Sequence, residues 1–324
     1  MNAIVNTGPG RLDWQELPCP IPPPGWVRIR TRACGVCSTD LEMIAGWSRT
    51  GFPSVPGHEW SGVVDAVGPE VDEHLKGQSC VAENVLSDGG EVGFEHPGGY
   101  AECFLTEARH LHPLPDTMPP DVAALIEPLA VVVRACRRAR LDAAVPVLIV
   151  GDGPIGLLMT LVLARRGFRE VSLLGGRPHR LALAQDLGAG ATMNYHEAGA
   201  GASLRKAFQK PFAVVVEASG SGAGADAALS LVAPAGRLLI IGSYGEAQAR
   251  FQWNHVLLNE IELIGSNASA QAWFEAVRLA GELRADMAKL ITHQFPASRF
   301  AEAIKLARER SSAVKVLLRW ERPS

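Results

Sequence analysis

The stretch "VLIVGDGPIGLL", residues 147–158, runs apolar, breaks on glycine and turns apolar again with a different texture. Val147–Val150 is uninterrupted β-branched and aliphatic sequence, the pattern of a strand buried on both faces. The continuation "PIGLLMTLVLARRG", residues 154–167, opens on proline and closes on glycine, as a helix does. Gly151, Gly153 and Gly156 lie between strand and helix. A lone GxGxxG is weak evidence, but in this context it reads as the turn that carries the pyrophosphate of a dinucleotide. Gly151 permits the tight turn, Gly153 lets the phosphates approach bare backbone, and Gly156 lets the helix pack on the strand. The helix N-terminus, with Pro154 and Ile155, faces the anion.

Working outward, strands and helices alternate as a parallel sheet requires. "EVSLL" (170–174) is a second strand and "PHRLALAQDLGA" (178–189) a second helix. "FAVVVEAS" (212–219), "RLLIIGS" (237–243) and "IELIGSN" (261–267) are further apolar strands. The ends of the first two of these add Ser219 and Gly242 to the cofactor-site candidates. Upstream, "PPDVAALIEPLAVVVRACRRARL" (119–141) suggests a helix kinked at Pro128 with arginines at its C-terminal end. The first 120 or so residues differ in kind. Short alternating runs such as "WVRIRTRA" (26–33) and "SGVVDAVG" (61–68) are separated by Gly/Pro clusters. "SRFAEAIKLARERSSAVKVLLRW" (298–320) adds a helix and a last strand that is expected to return to the β-rich part. The expected fold class is therefore α/β: a doubly wound parallel sheet over residues 123–267, and a β-rich domain assembled from 1–122 and 268–324.

The end of the second strand, "SLLGGRP" (172–178), bears on which dinucleotide is read. A reader of NAD carries Asp or Glu about 20 residues beyond the glycine turn, on the ribose 2′-hydroxyl. Here Gly175 and Gly176 stand there, followed by Arg177, with Arg180 one turn on. Glycine leaves room, and a guanidinium pairs with a phosphate through its fork. The alternative is a plain Gly-Gly loop with a solvated arginine. The reading taken is NADP(H) in preference to NAD(H).

Bulk properties exclude other classes. The 324 residues are 47% apolar and 20% charged, with a net charge of -3, which offers no footprint for nucleic acid or anionic membrane. No run of about 18 apolar residues appears, and the N-terminus lacks a signal-peptide pattern. The six cysteines are too sparse for a disulfide framework and read as thiols or ligands, so a cytoplasmic setting is expected.

A second constellation lies in the β-rich part. Cys34-Gly-Val-Cys37 is followed by "STDLEM", and "VPGHEWSGVV" (55–64) carries His58 and Glu59. Each is weak alone: CxxC has no second copy, and a single histidine is more often structural. Taken together, "GVCSTD", "PGHEWSGVV", "GGYAEC", "EPLAV", "GDGPIG" and "GSNAS" resemble, in order and over nearly the whole chain, the zinc-dependent medium-chain dehydrogenase/reductase family. The sorbitol and threonine dehydrogenase branch is nearest. The resemblance implies a Rossmann domain plus a GroES-like domain, and a soluble homodimer or homotetramer joined through the last Rossmann strand. It also implies hydride transfer between NADP(H) and a small-molecule secondary alcohol or polyol, or the matching ketone. By matching position, it implies Cys37 and His58 as ligands of one Zn2+ ion, with Glu59 and Glu127 as acidic ligands or near-ligands. Such a set leaves zinc an open position for water or substrate. Thr39 matches the family's proton-relay hydroxyl, and Asp40 is placed to orient His58 or to cap the helix that starts at Ser38.

Two departures follow. Glu42 stands where many relatives carry a relay histidine. The segment between Cys80 and Cys103 lacks the cysteines of the family's second, structural zinc, so one ion per chain is expected. Two other readings are a zinc-free quinone or enone reductase of the same superfamily, which needs no ligand set, and a nucleotide-binding protein without turnover.

Overall fold

The computed structural model describes residues 1–198, 206, 208–309 and 312–320. The chain divides into two compact units, Met1–Glu127 with Ala270–Ser324, and Pro128–Ser269. The last four residues of the expected β-rich domain, and positions 310–311 of its C-terminal segment, lie outside the described residues.

The first unit is built on β-strands. β1 (Asn2–Gly8) and β2 (Arg11–Glu16) form an antiparallel hairpin. β3 (Trp26–Gly35), β4 (Trp60–Val67), β5 (Ser79–Ala82), β6 (Cys103–Glu107) and β7 (Leu111–Pro113) follow. β14 (Ile291–Pro296) and β15 (Lys315–Arg319) come after the second unit and complete a sheet in the order β14-β15-β3-β4-β5-β7, with β6 paired to β3. The alternation read in "WVRIRTRA" is realised in β3. Val27, Ile29 and Thr31 are buried, while Arg28 and Arg30 bridge to Asp65 on β4. Ile29, Trp60, Tyr100, Phe104 and Leu318 are among the side chains of the core.

The pairing of β3 with its two neighbours sets the site. β4 runs antiparallel with Cys34 opposite Trp60, and β15 runs antiparallel with Leu317 opposite Gly35. Beyond the paired residues the backbones stay in touch, Gly35 N–H donating to Glu59 O at 2.7 Å and Val36 N–H to Val316 O at 2.9 Å. The residues just past β3, just before β4 and at the start of β15 are thus brought to one sheet end.

The second unit is a parallel sheet. β8 (Val147–Val150), β9 (Val171–Gly175), β10 (Ala191–Asn194), β11 (Phe212–Glu217), β12 (Val232–Ile240) and β13 (Glu262–Gly265) lie in the order β10-β9-β8-β11-β12-β13. All five adjacent pairs are parallel. That order reverses between β8 and β11, the switch point at which doubly wound sheets bind dinucleotides. The α/β class expected from the sequence is the one found. Two details differ. The helix kinked at Pro128 is two helices, Pro120–Ala123 and Ile126–Arg138, because Pro128 falls in a first turn, where no intrahelical N–H is needed. β10, written "ATMN", is too short and too polar to announce itself.

Candidate functional site

In the first unit, Cys37 ends the run out of β3 and starts the helix Ser38–Ala45. His58 and Glu59 immediately precede β4. One ligand atom from each of Cys37, His58 and Glu59 lies within 4.8 Å of the other two. His58 and Glu59 are buried. Asp40 is fully buried and serves both purposes considered for it: Oδ2 accepts the Cys37 N–H at 2.8 Å, and Oδ1 stands 3.1 Å from His58 Nδ1. With Nδ1 tied to Asp40, Nε2 is the ring nitrogen left for a cation. Asn84 steadies the histidine from behind by donating to its carbonyl at 2.8 Å, and the Phe94 ring packs 4.8 Å from the imidazole. Thr39 Oγ1 lies 3.6 Å from Cys37 Sγ. Glu42, one turn along the same helix, is half-buried.

The electrostatics show which charge this pocket favours. Burial opposes a charge on His58, yet the Asp40 carboxylate, with Cys37 adding to it, holds the imidazole well above its ordinary pKa. A site that draws a proton to its histidine is one that favours positive charge there. The donors, a thiol, an imidazole and a carboxylate, fit a zinc ion.

Glu59 is not a free carboxylate. Lys315, at the start of β15, donates to both its oxygens, at 2.8 and 2.6 Å, and the pair is 2% and 3% exposed. Gly35 is glycine for this reason: a Cβ there would overlap Glu59 Oε2. Burial acts to depress the Lys315 pKa, but Glu59 and Cys37 raise it above the ordinary value. The sequence reading did not single out Lys315; its signal is one lysine inside the apolar run "AVKVLLRW". Glu127 falls outside the group of three. It keeps some accessible surface, but the protein packed around it, and Glu59 beside it, push its carboxyl up to about 7 against the pull of His58.

In the second unit the glycine turn has distinct local reasons. Gly151 has φ 121°, and a Cβ there would meet the Ala218–Ser219 backbone at 2.8 Å. Around Gly153, which precedes the helix Pro154–Arg165, an added Cβ would meet nothing within 4 Å, which is the open approach a pyrophosphate needs. At Gly156 a Cβ would strike the Gly151 carbonyl. Ser219 and Gly242, at the ends of β11 and β12, are arranged by the fully buried Glu217. Its Oε1 accepts Ser219 N–H at 2.8 Å, its Oε2 accepts the Tyr244 hydroxyl at 2.6 Å, and its carbonyl accepts Gly242 N–H at 3.1 Å.

Gly175 ends β9 and Gly176 follows it, while Arg177, its side chain 33% exposed, is not left to solvent alone. It pairs with Asp152, the residue between the first two glycines, at 2.8 Å. Arg180 is buried and approaches the same carboxylate at 3.8 Å. Sequence reasoning also missed Tyr195, whose hydroxyl lies so close to Gly176 that a Cβ there would overlap it.

A family model described as alcohol dehydrogenase GroES-like domain matches residues 23–116, and one described as zinc-binding dehydrogenase matches residues 154–282. D-altritol 5-dehydrogenase of Agrobacterium fabrum is 33% identical over 320 residues, spanning 92% of this chain and 93% of that protein. An L-threonine 3-dehydrogenase of Saccharopolyspora erythraea is 30% identical over 348 residues, spanning 99% of each. The crystal structure of galactitol-1-phosphate dehydrogenase from Escherichia coli superposes with a TM-score of 0.87 at 28% identity, covering 98% of this chain and 99% of that one.

Proposed function

The chain belongs to the zinc-binding alcohol dehydrogenase family of medium-chain dehydrogenases/reductases and is an oxidoreductase, and from that premise we propose that it is a zinc-dependent, NADP(H)-preferring dehydrogenase of polyols or other secondary alcohols. The observation that carries the proposal is the convergence of Cys37, His58 and Glu59. One zinc ion per chain would be held by Cys37 and His58, with Glu59 and Glu127 as acidic partners. A zinc ion held there would supply Lewis acidity toward the substrate oxygen, and a nicotinamide would supply the hydride acceptor or donor.

The chain's own residues do the rest. Asp40 fixes the tautomer and orientation of His58. Lys315 balances the Glu59 charge by donating to both of its carboxylate oxygens. Thr39, beside Cys37, offers a hydroxyl to carry the alcohol proton away, and Glu42 or water continues that route. The names of the altritol, galactitol-phosphate and threonine dehydrogenases support a substrate bearing a secondary hydroxyl flanked by polar groups. NADP(H) preference is supported by Arg177, just past β9, by Arg180 in the first turn of the helix that follows, and by Tyr195, a neutral donor next to Gly176.

A homodimer or homotetramer is part of the same proposal. β13 is one edge of its sheet, and the helix just before it, Trp253–Leu258, leaves Trp253, Leu257 and Leu258 66–78% exposed. Among the described residues no helix is long and apolar enough to cross a membrane. The decisive experiment combines metal analysis of freshly prepared protein with a panel of polyols and secondary alcohols, followed by nicotinamide absorbance. About one zinc per chain and a chelator-sensitive activity with a lower KM for NADP+ are expected. Turnover that survives complete metal removal, or a clear preference for NAD+, defeats the corresponding part.

A further inference from the structure

β9 ends without a carboxylate of its own, yet the fold brings one there. Asp152, inside the glycine turn, is 4% exposed. Its Oδ2 accepts the Gly176 N–H and the Arg177 N–H, each at 2.9 Å. Its Oδ1 accepts Arg177 Nη1 at 2.8 Å, and its carbonyl accepts Arg180 Nη1 at 3.3 Å. A Cβ built on Gly175 would lie 2.7 Å from Asp152 Cβ and 2.9 Å from Oδ2. The space that a side chain at position 175 would enter is therefore filled by Asp152, which explains the glycine better than an empty pocket does.

We infer that Asp152 is an internal anion that sets cofactor discrimination, engaging the Gly176 N–H, the Arg177 N–H and one arm of the Arg177 guanidinium in place of a 2′-phosphate. The inference rests on the NADP(H) reading of this strand end and refines it. A carboxylate is an acceptor only, so two backbone donors and one guanidinium arm are already committed. Arg177 has five N–H donors in all, and its side chain is 33% exposed, so arms remain for an incoming phosphate. The phosphate must then bind beside a fixed negative charge, with one carboxylate already drawing on both guanidinium groups. The preference for the phosphorylated cofactor is accordingly held below what two arginines alone would give. Asp152 also keeps the paired guanidiniums together when no phosphate is present.

The test uses the full-length, zinc-loaded protein and titration calorimetry with two probes, 2′,5′-ADP and 5′-AMP. Asp152→Asn retains a carbonyl acceptor for a backbone N–H and removes the charge. It should bind 2′,5′-ADP about fivefold or more tightly than the wild type and change 5′-AMP binding by less than about twofold. The gain should shrink with salt, as expected for a removed like charge. Asp152→Ser, a shorter neutral acceptor, gives the same readout should the asparagine variant fold poorly. An equal loss for both probes would mean that Asp152 only builds the turn. A selective loss of 2′,5′-ADP would mean that it positions Arg177 for the phosphate. Unchanged binding of both would mean that its charge is not felt. Each of these overturns the inference. Wild-type discrimination between the probes, and its dependence on Arg177, test the NADP(H) reading separately: a wild type indifferent to the 2′-phosphate removes that reading, while a gain in Asp152→Asn would still stand.

Discussion

Replacing Lys315 by methionine isolates the contact that ties the last strand to the metal-site candidates. Methionine keeps the length and the apolar stem and removes the ammonium. The Glu59 carboxylate, 2% exposed and receiving both of its short hydrogen bonds from Lys315, is then left buried without its ammonium partner. Breaking one side of a buried pair costs about 3–5 kcal/mol, because the surviving charge keeps its desolvation penalty and loses its partner. For a unit of this size that corresponds to a fall of roughly 10 °C in melting temperature. The loss should be largest in metal-free protein, since a zinc ion held by Cys37 and His58 would supply a second cation near Glu59. The double variant Lys315→Met/Glu59→Gln removes both charges, so it should recover more than about half of the loss, and the four-species cycle measures the coupling directly. The assay is thermal unfolding of metal-free and zinc-loaded forms, with zinc content determined in parallel. A loss below about 1 kcal/mol in the metal-free single variant, or no recovery in the double variant, refutes the reasoning.

Three shorter predictions concern the remaining parts of the two sites. Arg177→Ala should raise KM for NADP+ by about tenfold or more with little change for NAD+, the scale of a lost charged pair. A parallel rise for both cofactors in steady-state kinetics would place Arg177 outside 2′-phosphate recognition. Asp40→Asn should weaken zinc by about 10- to 100-fold in competition with a chelator, because it loosens the hydrogen bond that orients His58. Unaltered affinity would limit Asp40 to its bond with the Cys37 N–H. Finally, the Asp40 carboxylate raises the His58 pKa, so the metal-free imidazole keeps its proton to higher pH than an ordinary histidine does. Zinc uptake must expel that proton, so apparent affinity should rise as pH increases from below neutrality until the raised pKa is passed, and fall on acidification. Calorimetry in buffers of different ionisation enthalpy reads the released proton directly, and uptake without release would contradict the sign.

What could be read from the sequence was what is local in it. The glycine turn, the strand before it and the helix after it occupy consecutive residues, and the hydrophobic period alone separates them. Cys37 and His58 were legible because each sits in a short recurring phrase whose residue types suit a metal. The partners of these groups were not legible, for a physical reason. Lys315 reaches Glu59 across 256 residues, through two antiparallel registers that no periodicity announces. Asp152 looked like one more turn residue, since aspartate is common between glycines, and only the fold shows its carboxylate crossing to the end of the neighbouring strand. Tyr195 follows a strand too short to be recognised, so its approach to Gly176 could not be anticipated. In both units the motif supplied the candidate ligand-facing groups, while the groups that set their charge came from distant or disguised positions. The absence of an acidic residue at Gly175 was therefore a sound observation about one position and an incomplete one about the site, because a recognition pocket counts charges by where side chains end rather than by where they start.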